Sequence, residues 1–285
     1  MKNHLACVLL LWLSLFAVAQ AQERILVREG SFQSTALGRP MRYRVILPLD
    51  YEAMRRRYPV LYLLHGLTGS YADWESRTNL AEYAERLNLI IVMPDGNDAW
   101  YTNSAGEPQE KYEDYIIKDL IPEIDKQYRT ISARYARAIA GLSMGGYGAI
   151  KFGLKYPLTF AFVASFSGAL PVARDADFLS NWSAKYRDGA MKIFGPAGSQ
   201  TRTENDIYAL VKKAVPARLP YFYLDCGTED DFLQANREFV ALLHQQKIAY
   251  EYRELPGGHS WDYWDKQVRA MFEVLAQRID IRRER

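Results

Sequence analysis

Ala136-Arg137-Ala138-Ile139-Ala140-Gly141-Leu142-Ser143-Met144-Gly145-Gly146-Tyr147-Gly148-Ala149 is the stretch on which the fold turns. Ala136 to Ala140 reads as a buried strand, and Met144 to about Lys155 reads as a helix. Between them lies G-x-S-x-G, a weak pattern when alone. A strand running straight into it and a helix leaving it make it a nucleophile elbow. The turn is tight, so side chains at Gly141 and Gly145 would collide with the strand and helix it joins. Ser143 is then held out at the end of a sheet, over the positive end of the helix dipole. The opposing reading is a Gly-rich turn packed for closeness alone.

Outward from this elbow, short apolar runs alternate with helix candidates. Val27 to Phe32 and Met41 to Leu47 alternate in polarity, which predicts two antiparallel strands at the start of a sheet. Val60 to Leu64, Leu89 to Met93, Phe160 to Ser165 and Tyr221 to Leu224 are nearly continuous apolar segments, as a sheet covered on both faces requires. Tyr250 to Glu254 is a further strand. Helices are expected over Asn79 to Leu87, Glu113 to Tyr128, Asp231 to Gln246 and Trp261 to Ile279. Strand alternating with helix predicts an α/β fold with a mostly parallel central sheet and helices on both faces. Residues 172–220, between two strands, are too long for an ordinary connection. They carry Trp182, Tyr186, Phe194 and Tyr208, and read either as a lid-like insertion or as a structural one.

The first residues read as a secretory signal peptide over 1–21: Lys2, an apolar run from Leu5 to Val18, then Ala19-Gln20-Ala21 at the cleavage site. It is too short and wrongly flanked for a stable membrane span. Residues 22–285 are expected as one catalytic domain, periplasmic or secreted. Cleavage leaves Cys226 as the sole cysteine, expected to be buried and inert. The 36 basic and 34 acidic residues nearly balance, for a net charge of +2, which gives no footprint for nucleic acid.

A serine hydroxyl needs a base. His4 leaves with the signal, His244 is mid-helix, and His65 ends a strand upstream of the serine. His259 lies in Pro256-Gly257-Gly258-His259-Ser260-Trp261, between the last strand and the last helix. That is its place in an α/β-hydrolase fold, where the order is serine, acid, histidine. Asp225, Glu229, Asp230 and Asp231 are the candidate acids. Asp225 is expected inside the strand and Asp231 at a helix start, where capping alone explains it. Asp230 is then favoured over Glu229, by spacing only modestly. For the oxyanion hole the candidate donors are the N–H of Met144, after the nucleophile, and that of Leu67 in His65-Gly66-Leu67-Thr68-Gly69. His65 is read as shaping that loop. No metal and no cofactor is called for.

With Tyr62-Leu63-Leu64-His65-Gly66-Leu67, the Gly141–Ala149 elbow, Asp225-Cys226-Gly227-Thr228-Glu229-Asp230 and Gly257-Gly258-His259-Ser260-Trp261 in view, the chain resembles the esterase D family of α/β hydrolases. The family includes S-formylglutathione hydrolases, tributyrin-type short-chain esterases, feruloyl and acetyl-xylan esterases, and mycolyltransferases. The likeness runs from about Arg42 to Trp264. It implies that Asp230 is the acid, the last position of the family's C-G-x-x-D stretch, and that Leu67 and Met144 supply the oxyanion donors. Met93 to Asn103 resembles a loop bordering the cleft in the secreted branch, which makes Trp100 and Tyr101 candidate substrate contacts or, equally, structural aromatics. The signal peptide departs from the cytosolic formylglutathione hydrolases. The expected function is a serine carboxylesterase acting on short-chain or carbohydrate-linked esters. The rivals are acyl transfer to a sugar or other alcohol on the same triad, and a non-catalytic exported binding scaffold.

Overall fold

The computed structural model describes residues 26–282; the signal-peptide reading, with His4, lies outside them. Eight strands form one sheet: β1 (Leu26–Ser34), β2 (Arg39–Leu47), β3 (Val60–Leu64), β4 (Ile90–Pro94), β5 (Arg137–Leu142), β6 (Phe162–Phe166), β7 (Tyr221–Gly227) and β8 (Tyr250–Leu255). Their order is β1-β2-β4-β3-β5-β6-β7-β8. β1 pairs antiparallel with β2, and β2 antiparallel with β4, while every other pairing is parallel. The mostly parallel α/β expectation therefore holds, including its antiparallel start.

The apolar runs are continuous because alternate residues serve two cores. In β3, Val60, Tyr62 and Leu64 belong to one cluster, while Leu61 and Leu63 belong to the other. Each such side chain, sealed from water, contributes roughly 1.5–3 kcal/mol, and neither face can be left open. The helices divide between the faces, in chain order α1 (Asp73–Arg77), α2 (Leu80–Ala84), α3 (Tyr112–Asp114), α4 (Ile121–Gln127), α5 (Met144–Lys155), α6 (Ala184–Phe194), α7 (Gln200–Asn205), α8 (Ile207–Lys213), α9 (Leu233–Gln245) and α10 (Trp261–Leu275). Trp74 of α1, Leu80 of α2 and Val268, Met271 and Phe272 of α10 close one face; α3, α4, α5, α8 and α9 cover the other.

Three helices differ from expectation. Between α3 and α4 the chain widens into π-helical turns over Tyr115–Leu120; Pro122, at the start of α4, has no N–H to offer the preceding turn. α2 stops at Ala84, where Glu85 and Leu87 make tight three-residue bonds to Glu82 and Ala84. α10 ends at Leu275 in turns of the same kind, with Gln277 and Arg278 bonding Val274 and Leu275.

Residues 172–220 fold as α6, α7 and α8 after a ten-residue irregular stretch over 174–183, packed onto the α5 side. Phe194 meets Trp100 and Tyr147 at 6.2 and 5.9 Å between ring centres. Buried Arg202 donates to the carbonyls of Gly195 (2.8 Å) and Val172 (2.9 Å), tying the segment to its own base. Cys226 lies in β7 with no exposure, and burial pushes its thiol far above the ordinary range. Among the described residues no helix is long and apolar enough to cross a membrane.

Candidate active site

Ser143 stands between β5 and α5 with φ 52° and ψ −115°, a conformation that costs a non-glycine residue about 1–3 kcal/mol. The surrounding backbone holds it there. Its N–H donates to the Phe166 carbonyl at 2.9 Å, and its own carbonyl accepts from Tyr147 and Ala169, both at 3.1 Å. The glycines are required by contact: a Cβ on Gly141 would lie 2.5 Å from the Gly145 backbone, and one on Gly145 would lie 2.6 Å from the His65 oxygen.

His259 follows β8 on the Gly257-Gly258 turn, where Gly257 has φ 137°. Its Nε2 is 3.0 Å from Ser143 Oγ and its Nδ1 is 2.9 Å from Asp230 Oδ2. Phe232 and Trp264 face the imidazole edge-on, each at 4.9 Å, and fix the ring plane. The ring is 29% exposed on its cleft side, whereas the Asp230 side chain is wholly buried. The other Asp230 oxygen accepts the Phe232 N–H at 2.8 Å. Burial alone would raise this carboxyl's pKa. Its bond to His259, that ring's charge, the Phe232 N–H and the Ser167 hydroxyl outweigh burial and hold the pKa below the ordinary value.

The other acids are placed elsewhere. Asp225 lies within β7, fully buried, and burial pushes its carboxyl well above the usual range. Glu229 and Asp231 are exposed. The capping expected of Asp231 is not made: α9 begins at Leu233 with no side-chain cap, and Asp230 accepts the Phe232 N–H in the turn just ahead of it.

The loop after β3 lies beside the serine, close enough that a Cβ on Gly66 would be 3.5 Å from Ser143 Cβ. Neither the Leu67 N–H nor the Met144 N–H donates to a protein acceptor among the described residues. His65 is buried; its Nδ1 donates to the Gly66 oxygen at 2.7 Å and its Nε2 accepts the Gly96 N–H at 2.8 Å. A cleft of about 320 Å³ opens above Ser143 and His259, walled by Leu67, Trp182, Tyr186, Trp261 and Trp264, with Asp73 and Arg77 at one side.

Of the two readings of Trp100 and Tyr101, the geometry favours the structural one over substrate contact. Both are buried, 1% and 0% exposed, and neither lines the cleft. Both hold left-handed backbone, φ 52° and 51°, which turns their rings into the core. The aromatic wall comes instead from Trp182 and Tyr186 in the insertion, and from Trp261 and Trp264 at the start of α10. Trp261 and Trp264, one turn apart and directly after His259, carried a readable signal. Asp73 and Arg77 carried none.

A family model described as "Putative esterase" matches residues 34–275. The chain belongs to this esterase family. Membership makes it a serine hydrolase of ester bonds. It is 30% identical to an acetyl esterase of Caldicellulosiruptor saccharolyticus over 89% of this chain and 99% of that one. It is 34% identical to the esterase Rv1288 of Mycobacterium tuberculosis over 80% of this chain, spanning 54% of that longer protein. Among solved structures, the fluorophosphonate-binding serine hydrolase FphF of Staphylococcus aureus superposes with a TM-score of 0.79 at 27% identity, over 88% of this chain and 98% of that one. A ferulic acid esterase superposes at 0.76, also with 27% identity, over 89% and 99%.

Proposed function

We propose that this esterase cleaves short-chain or carbohydrate-linked carboxylic esters, of acetyl or feruloyl type, through Ser143, His259 and Asp230 and a covalent acyl-enzyme. The observation that carries the reading is the continuous chain from Asp230 through His259 to Ser143 Oγ at the floor of the cleft. His259 Nε2 takes the hydroxyl proton as Ser143 Oγ attacks the ester carbonyl. Asp230 holds Nδ1–H and stabilises the imidazolium that forms. The carbonyl oxygen becomes an oxyanion, received by the N–H groups of Leu67 and Met144. The tetrahedral adduct collapses, the C–O bond to the alcohol breaks, and His259 returns the proton to the departing oxygen. Water, deprotonated by His259, then releases the acid and restores Ser143.

The substrate class draws support from the small aromatic-walled cleft and from the acetyl and ferulic acid esterases among the relatives. Residues 22–285 are read as one exported catalytic domain behind the 1–21 signal, with 172–220 capping the cleft. The test is turnover of an ester panel, from acetate to long-chain p-nitrophenyl esters with feruloyl and acetylated-sugar esters. Ser143→Ala should lower turnover by about 10⁴ to 10⁶-fold. A mutant keeping a tenth of the activity would sink the assignment. Product formed on an added sugar alcohol in preference to water would move the reading to acyl transfer.

A further inference from the structure

We propose that Tyr101 is a positioning residue for the oxyanion hole, its buried hydroxyl fixing the His65–Gly66 peptide unit directly before the one that carries the Leu67 N–H. The inference rests on the Ser143 acyl-enzyme reading above. The Tyr101 hydroxyl donates to the His65 carbonyl at 3.0 Å. The next carbonyl, that of Gly66, accepts from the His65 ring at 2.7 Å and from the Gly69 N–H at 3.1 Å. A peptide group is planar, so fixing the Gly66 oxygen fixes the Leu67 N–H on the same plane. Gly66 without a Cβ would otherwise let the two planes swing. Tyr101 and His65 thus hold consecutive peptide units beside Ser143.

The tyrosine is itself clamped. A Cβ on Gly96 would lie 2.3 Å from its ring and one on Gly148, in α5, 2.8 Å from it, so the ring fills a slot between that loop and the nucleophile helix. Its backbone oxygen accepts from Lys151 Nζ at 2.5 Å, and Lys151, fully buried on α5, also bonds Thr102 Oγ1 (3.0 Å) and Glu113 Oε2 (2.9 Å). One helix therefore presents the nucleophile and, two turns on, anchors the residue that holds the oxyanion loop. Burial keeps the phenol well above its ordinary pKa, so the hydroxyl stays a donor.

Tyr101→Phe removes only the hydroxyl. Fluorophosphonate titration of Ser143 counts the folded sites. Per site, kcat should fall about 10–100-fold, somewhat less than for outright loss of an oxyanion donor, with KM within about threefold. Affinity for a trifluoromethyl ketone, which adds Ser143 Oγ and forms a tetrahedral oxyanion, should weaken by the same factor as kcat/KM. Lys151→Gln, loosening the same tyrosine from its other side, should show the same split at smaller amplitude and supplies the readout if Tyr101→Phe does not fold. Ordinary kcat and ketone affinity in the folded variant, or a loss confined to KM, would overturn the proposal. Ser143→Ala separates the two ideas: activity surviving it removes the Ser143 acyl-enzyme reading itself. An inactive Ser143→Ala beside a fully active Tyr101→Phe removes only the clamp.

Discussion

The loops after β3 and after β8 each carry a histidine beside a glycine, yet they are built for opposite ends. His65 is 1% exposed and spends both ring nitrogens on backbone, the Gly66 oxygen and the Gly96 N–H. His259 has one nitrogen on a buried carboxylate and the other on a serine hydroxyl at an open cleft. With both ring nitrogens bonded to backbone, and the Asp95 carboxylate 3.6 Å from Nε2, His65 presents nothing to the cleft and shapes its loop. His259 instead turns one nitrogen to the serine hydroxyl whose proton the reaction has to move. The partner of the distal nitrogen, more than the glycine-rich setting, separates the two.

The sharpest way to break that contrast is to remove each ring in turn. His259→Gln should cost about 10⁴ to 10⁶-fold in kcat, and Asp230→Asn about 10⁴-fold, with each variant still folded by circular dichroism. Acid should act on a third group, away from both loops. Glu113 sits between Lys151 (2.9 Å) and Lys155 (2.7 Å). Burial opposes its charge, but the two ammonium groups prevail and hold it at about 2. Lys151 is pushed down to about 8, since burial and the like charge of Lys155 outweigh its share of that single carboxylate. The folded Glu113 ionises more readily than the unfolded one, so its stabilisation is complete above about pH 4.5 and is lost as pH falls toward about 2. The loss amounts to about 3 kcal/mol at most. Denaturant melts at pH 6 and pH 3 should show it, and Glu113→Gln should flatten the difference. The smallest effect belongs to His65→Leu. Orphaning the Gly96 N–H should cost about 1–3 kcal/mol of stability, and activity should drop by roughly tenfold through the Leu67 loop. Were His65→Leu as inactive as His259→Gln, the contrast between the loops would fail.

The parts of this site legible in the sequence are those whose neighbours are close in the chain. Strand, glycine and serine are contiguous from Arg137 to Met144, so the elbow could be read before any coordinates. His259 stood out because few histidines compete and its loop follows the last strand. Asp230 was only weakly favoured by spacing and stronger through resemblance, because four carboxylates share one short stretch, two of them buried, and only the contact with His259, 29 residues on, singles one out. Trp100 and Tyr101 stayed open between cleft and core for a related reason. Aromatic residues in a loop look exposed, and only left-handed backbone at both positions turns them inward. The Lys151–Glu113 pair spans 38 residues and two elements, and nothing local marks either as buried.

Cys226 offers a use beyond its place in β7. A thiol with no exposure and a strongly raised pKa is silent toward alkylating reagents while the sheet is intact. It is the one cysteine among the described residues, so its labelling rate is a clock for opening of the central sheet. The esterase thus carries its own reporter, able to distinguish a variant that has lost chemistry from one that has lost its fold, without any introduced residue.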